Sequence, residues 1–88
     1  MSQMQLDAVI VGEVIAQCRA KKGVTQEVLS GLADMGRTHL SAIERGERKP
    51  TLETLYKISM ALDVPMSGIV LAVEKEMDKR NPSDTVRC

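Results

Sequence analysis

Thr38, Ser41 and Arg45 recur at intervals of three and four along a short amphipathic stretch. At 100° per residue they gather on one side of a helix, with Ala42 among them and Arg37 flanking at the N-terminal end, while Leu40 and Ile43 point the other way. Hydroxyls, a methyl group and two guanidiniums are equipped for recognition rather than bond-making. A guanidinium can give two parallel hydrogen bonds to guanine O6 and N7, hydroxyls serve bases or phosphates, and a methyl can touch thymine. A B-form major groove admits one helix, and side chains near that helix's N-terminus reach base edges.

Chemistry of other kinds is not indicated. The sequence has no paired carboxylates, no nucleophile beside a base, no phosphate-cradling loop and no metal-spaced Cys/His cluster, so neither an enzyme nor a cofactor or metal is expected. His39, the single histidine, sits at the edge of the outward face, where packing or a phosphate contact suits it better than catalysis. Cys18 reads as a buried apolar residue and Cys88 as an incidental terminal thiol, which fits a reducing compartment. The apolar run from Ala8 to Val11 is too short to span a membrane and has no basic residue before it, so a cytoplasmic protein is expected.

The elements that must position these groups are helical nearly throughout. Val11, Ile15, Cys18 and Lys22 fall on one side of a first helix that Gly23 ends. Thr25 reads as the N-cap of a second, with Glu27 in its first turn and Val28, Leu29, Leu32 and Ala33 as its buried face. Gly36 starts the third and Gly46 stops it. Thr51 caps a fourth, carrying Leu55, Ile58, Ala61 and Leu62, and Pro65 closes it. Ser67 caps a fifth with Ile69, Val70, Val73 and Met77, and residues 81–88 have no apolar period. The expected fold is all-α, a compact bundle of about five helices with short loops. Helices two and three are joined by so few residues that they cannot lie antiparallel; they must cross steeply, which leaves one face of the third unused by the core.

At 88 residues the chain is one domain of modest core, 43% apolar and 27% charged, with Tyr56 as its one aromatic residue flanking an aliphatic interior. Net charge is zero but unevenly spread. Residues 1–18 carry −2, residues 19–57 carry eight bases against five acids for +3, and the remainder carries −1. A weakly basic middle lies between acidic ends.

The stretch from residue 11 to 66 resembles the lambda-repressor/Cro-like (XRE) helix-turn-helix family. The resemblance is carried by Val11, Gly12, Ile15, Arg19, Gly23, Thr25, Gln26, Glu27, Leu29, Arg37, Leu40, Ser41, Ile43, Glu44, Arg45, Gly46, Pro50, Thr51, Leu52, Leu55, Ile58, Ala61, Leu62 and Val64. It implies a five-helix domain, usually dimeric, that binds double-stranded DNA and acts on transcription. By position it assigns Arg37, Thr38 and Ala42 to base edges, Ser41 and Arg45 to phosphate or an adjacent base, and Arg48 and Lys49 to the backbone. Thr25, Gln26 and His39 complete the expected DNA-binding set, with Gln26 bound to phosphate and supporting Arg37. Arg19 and Glu44 are implied as a partly buried ion pair holding the third helix at its angle. Three positions depart from the family pattern. Asp34 stands where Gly is favoured in the turn, Gly36 replaces a Ser or Thr cap, and Ala16 stands where many members carry a phosphate-binding Arg, with Lys21 and Lys22 as substitutes.

Residues 1–10 are expected to extend helix one, where Leu6, Val9, Ile10 and Val14 fall off the core stripe and pack on helix five or a second subunit. Residues 67–80 form the C-terminal helix, whose Ile69, Val70, Leu71, Val73 and Met77 are the expected homodimer interface, and residues 81–88 form a disordered tail. Small proteins of the family act as phage or plasmid repressors, restriction-modification controllers, or antitoxins. The alternative function is therefore an antitoxin or adaptor gripping a partner protein.

Overall fold

Five helices dominate residues 4–80, which are the residues described by the computed structural model: α1 Ala8–Lys22, α2 Gln26–Leu32, α3 Arg37–Glu44, α4 Leu52–Leu62 and α5 Met66–Arg80. Local chemistry explains most boundaries. The Asp7 carboxylate accepts hydrogen bonds from the Val9 and Ile10 amides at 2.9 and 3.3 Å, so α1 begins at Ala8 and residues 4–7 precede it. The expected extension of helix one therefore shrinks, among the described residues, to Ala8–Ile10. Gly23 closes α1 at φ 73°. Thr25 Oγ1 accepts from the Val28 amide at 3.1 Å and Thr51 Oγ1 from the Thr54 amide at 3.0 Å, capping α2 and α4. Asp34 does adopt the left-handed backbone its turn requires (φ 54°), and Asp63 does the same at the end of α4 (φ 57°). α5 begins at Met66, directly after Pro65, rather than being capped at Ser67. The expected tail, 81–88, lies outside the described residues.

The core runs through α1, which packs on both α3 and α5 and touches α4. Because two of its sides are covered, Ile10 and Val14 belong to the core with Val11 and Ile15; only Leu6 and Val9 stay about half exposed. A single-stripe reading of α1 misses this, since a helix apolar nearly all round is a buried one. α2 behaves in the opposite way. Leu29 and Ala33 are buried, but Val28 and Leu32 face solvent, because α3 and α4 cover only one side of this short helix. Two serines join the core instead: Ser30 and Ser59 donate to the carbonyls of Glu27 and Tyr56, at 3.0 and 2.7 Å, so neither hydroxyl is left unpaired.

α5 also departs from expectation. Ile69 and Val73 are 1% and 5% exposed within one protomer, and Met77 packs against the same cluster. They hold α5 to α1 and α4 and are not free to form a dimer interface; of the five residues expected there, only Val70 and Leu71 are exposed.

Two glycines set the position of α3. A Cβ on Gly12 would lie 2.3 Å from the Ile43 carbonyl oxygen and 2.6 Å from that of Glu44. Gly46, at φ 80°, would place a Cβ 2.8 Å from the Val9 Cα. The backbone of α1 thus rests directly on the last turn of α3 at Gly12, and the Val9 backbone and Cγ2 press on Gly46 just beyond it.

Candidate nucleic-acid interface

The outward side of α3 presents Arg37, Thr38, Ser41 and Arg45 along one shallow polar concavity, while Leu40 and Ile43 are fully buried on the opposite side. Arg37, Thr38 and Arg45 are exposed and Ser41 half-buried. The Arg37 side chain makes no hydrogen bond or ion pair within the described residues, leaving all five of its donors available. His39 is half-buried at the rim. Ala42 is a correction: at 8% exposure its methyl is enclosed rather than presented outward. Ala42 lies outside the apolar cluster that holds Leu40 and Ile43, yet a side chain of one methyl does not reach beyond its longer neighbours and stays enclosed.

Residues around α3 divide into free and committed groups. Arg48 and Lys49, in the loop before α4, are exposed and, within the described residues, unpaired. Lys21 and Lys22 are exposed at the end of α1. Thr25 is exposed, but its hydroxyl oxygen caps α2. Gln26 is not placed as expected: its Nε2 donates to Glu44 Oε1 at 2.8 Å, so it supports the last turn of α3 rather than Arg37 at the first. The reason is electrostatic, since a carboxylate is the strongest acceptor within its reach.

That carboxylate is the hub of the scaffold. Arg19 Nε donates to Glu44 Oε2 at 2.8 Å and Nη2 to Oε1 at 3.0 Å, while Nη1 reaches the Val24 carbonyl at 3.0 Å. One guanidinium therefore ties α1 to α3 and to the turn that leads into α2. The Glu44 side chain is 5% exposed and that of Arg19 21%. Hydrogen bonding to Glu44 raises the Arg19 pKa further, so the guanidinium keeps its charge.

A second fork, unnoticed in the sequence, lies at the other edge of the concavity. Arg45 Nε and Nη2 donate to the two carboxylate oxygens of Glu47 at 2.9 and 3.0 Å, and Nη1 donates to Ser41 Oγ. The hydrogen bonds to Glu47 raise the Arg45 pKa, and Arg45 in turn holds the Glu47 carboxyl below the usual carboxylate range. The local sequence signal was the left-handed Gly46 between them, which folds residue 47 back beside residue 45.

Among the described residues no single helix is long and apolar enough to cross a membrane. An apolar groove opens elsewhere, between the loop before α4 and α5, with Pro50, Leu52, Leu55 and Val70 in its wall and Leu6 at its edge. Leu52 is 72% exposed there.

The family described as "Helix-turn-helix" matches residues 15–69. An uncharacterized HTH-type transcriptional regulator of Sinorhizobium fredii is 42% identical over 66 residues, which is 75% of this chain and 86% of the relative. Among solved structures, the wild-type restriction-modification controller protein C.Esp1396I superposes with a TM-score of 0.77 at 33% identity, over 85% of this chain and 97% of its own. The controller protein C.AhdI of Aeromonas hydrophila does so with a TM-score of 0.70 at 31% identity, covering 74% and 98%.

Proposed function

We propose, from the premise that this chain belongs to the XRE-type helix-turn-helix family, that it acts as a homodimeric regulator of transcription reading a palindromic operator. It is a DNA-binding transcriptional regulator. The observation that carries the reading is the division of α3, with Leu40 and Ile43 wholly buried and Arg37, Thr38, Ser41 and Arg45 facing outward along one polar surface. Arg37 is the base-reading residue at the start of the recognition helix, Thr38 and Ser41 lie on the same face, and Arg48 and Lys49 follow the phosphate backbone. The Arg19–Glu44–Gln26 cluster fixes the helix at its angle.

The dimer is supported by the exposed apolar side chains Leu52, Val70 and Leu71, two of which flank the groove beside α5. Two copies related by a two-fold axis would set their recognition helices about 34 Å apart, one turn of the duplex. With about eight phosphates neutralised per dimer, the logarithm of affinity should fall with log salt at a slope of about −7. Such a protein works in the cytoplasm and needs no cofactor. The test is titration of the purified chain into a random duplex pool at low salt; absence of binding rejects the function.

The same groove favours a second reading, in which a partner protein seats there and DNA binding is secondary, as in an antitoxin or adaptor. Solution mass separates the two, since self-association of the pure chain belongs to the first reading only.

A further inference from the structure

Glu47 is an acid set directly against Arg45 on the outward side of α3, and its position raises the question of what remains of Arg45 once it is paired. A guanidinium carries five N–H donors. Glu47 takes the Nε donor and one on Nη2, and Ser41 takes one on Nη1. One N–H on each terminal nitrogen is left over, so two donors of the fork stay free beside its two anchors. Ser41 and Glu47 both hold the group, so its free donors are preorganised rather than swinging on a loose side chain.

We propose that Glu47 is a positioning residue which, together with Ser41, makes Arg45 a second base-reading arginine, directed at a guanine, instead of a backbone contact. The inference rests on the DNA-binding reading above. Two observations carry it beyond that reading. Arg45 shares one concavity with Arg37, Thr38 and Ser41, the surface that faces the groove, whereas the free cations Arg48 and Lys49 lie in the loop outside it. The second is charge. A phosphate draws an arginine mainly by its net charge, and Glu47 cancels that charge while adding its own repulsion toward the phosphate. Hydrogen bonding to guanine O6 and N7 depends on donor geometry, and pairing with Glu47 leaves that geometry intact. An arginine meant for the backbone gains nothing from a carboxylate at 2.9 Å; one meant for a base gains orientation.

The experiment is selection of bound duplexes from a random library by the full chain, compared across wild type, Glu47→Gln, Arg45→Ala and Arg37→Ala, with thermal melting of each. Wild type should enrich two fixed guanines per half-site. Arg45→Ala should lose one of them, with preference there falling about tenfold, while Arg37→Ala loses the other. Glu47→Gln should weaken the same guanine as Arg45→Ala, yet bind unrelated duplexes more tightly because a negative charge is gone. All three exposed-site variants should melt like wild type, which excludes a folding defect. If Glu47→Gln tightens binding to every sequence with preferences unchanged, Glu47 merely competes with phosphate and the proposal is overturned. If Arg45→Ala lowers affinity uniformly, Arg45 is a backbone contact and the proposal again falls. A wild-type chain that binds duplexes but enriches no sequence overturns the guanine contact while leaving DNA binding intact, and one that binds no duplex rejects the function itself.

Discussion

Arg19 and Glu44, twenty-five residues apart in sequence, meet in a two-pronged ion pair that Gln26 completes from α2. Three helices of the reading head are thus joined at one carboxylate that is almost wholly buried. Such a pair is expensive to break from one side, because the survivor keeps the desolvation cost and loses its partner. Arg19→Ala and Glu44→Ala should each destabilise the domain by about 3 kcal/mol or more, and the double variant by clearly less than their sum. Chemical denaturation of the four proteins measures this, and simple additivity would contradict the buried-pair account.

Gly12 makes the complementary prediction about backbone. In Gly12→Ala the new methyl meets the carbonyl oxygens that end α3, neither of which can move without tilting the helix. A loss of about 2 kcal/mol, or a melting point lower by about 10 °C, is expected. DNA affinity measured well below the melting point should drop as well, since the displaced helix carries the proposed reading face.

Arg37→Ala should behave in the reverse manner. The side chain is exposed and unpaired among the described residues, so stability should stay within about 0.5 kcal/mol of wild type. Discrimination at one base pair of each half-site should fall by about 1–3 kcal/mol, read by competition between the selected site and its single-base variant.

Leu52→Glu and Leu71→Glu test the dimer. Both side chains are more than half exposed in one protomer, so neither change should unfold it. If this face joins two copies, sedimentation at micromolar concentration should shift from two chains to one, and binding should weaken steeply because a lone subunit reads only half a site. Unchanged mass would redirect attention to a partner protein.

The Arg45–Glu47 fork predicts an absence of pH response. A carboxyl depressed in the folded chain stabilises it above the unfolded pKa and loses that contribution as pH falls through the folded value, which here lies below the ordinary carboxylate range. Arg45, raised from an already high value, stays charged. Preference at the guanine assigned to Arg45 should therefore be flat between about pH 6 and 8 and decline only in acid.

Much of this architecture was legible in the chain. Gly23, Thr25, Gly36, Gly46 and Thr51 mark helix ends through local chemistry that needs no neighbour, and the structure uses each of them there. Relations between helices were harder to read. Period alone assigns one buried stripe per helix, so it could not reveal that α1 is covered on two sides, that α2 leaves Val28 and Leu32 in water, or that the Ala42 methyl is enclosed. Ile69 and Val73 looked available for a partner because an apolar stripe reads the same whether it faces its own core or another copy. Glu47 escaped notice for a different reason: its significance lies in a fork across a left-handed turn, a geometry that composition does not encode.

The bare backbone contact at Gly12 and Gly46 has a mechanical consequence. With α1 seated flush on the last turn of α3, the probe and its chassis move together, and the contact leaves little give between these two helices for an ill-fitting duplex. In the proposed dimer, a mismatch in half-site spacing would then be taken up by bending or twisting of the nucleic acid, or by rotation between the two subunits. On that proposal, stiffness of the operator's central, untouched base pairs would become part of what the protein measures.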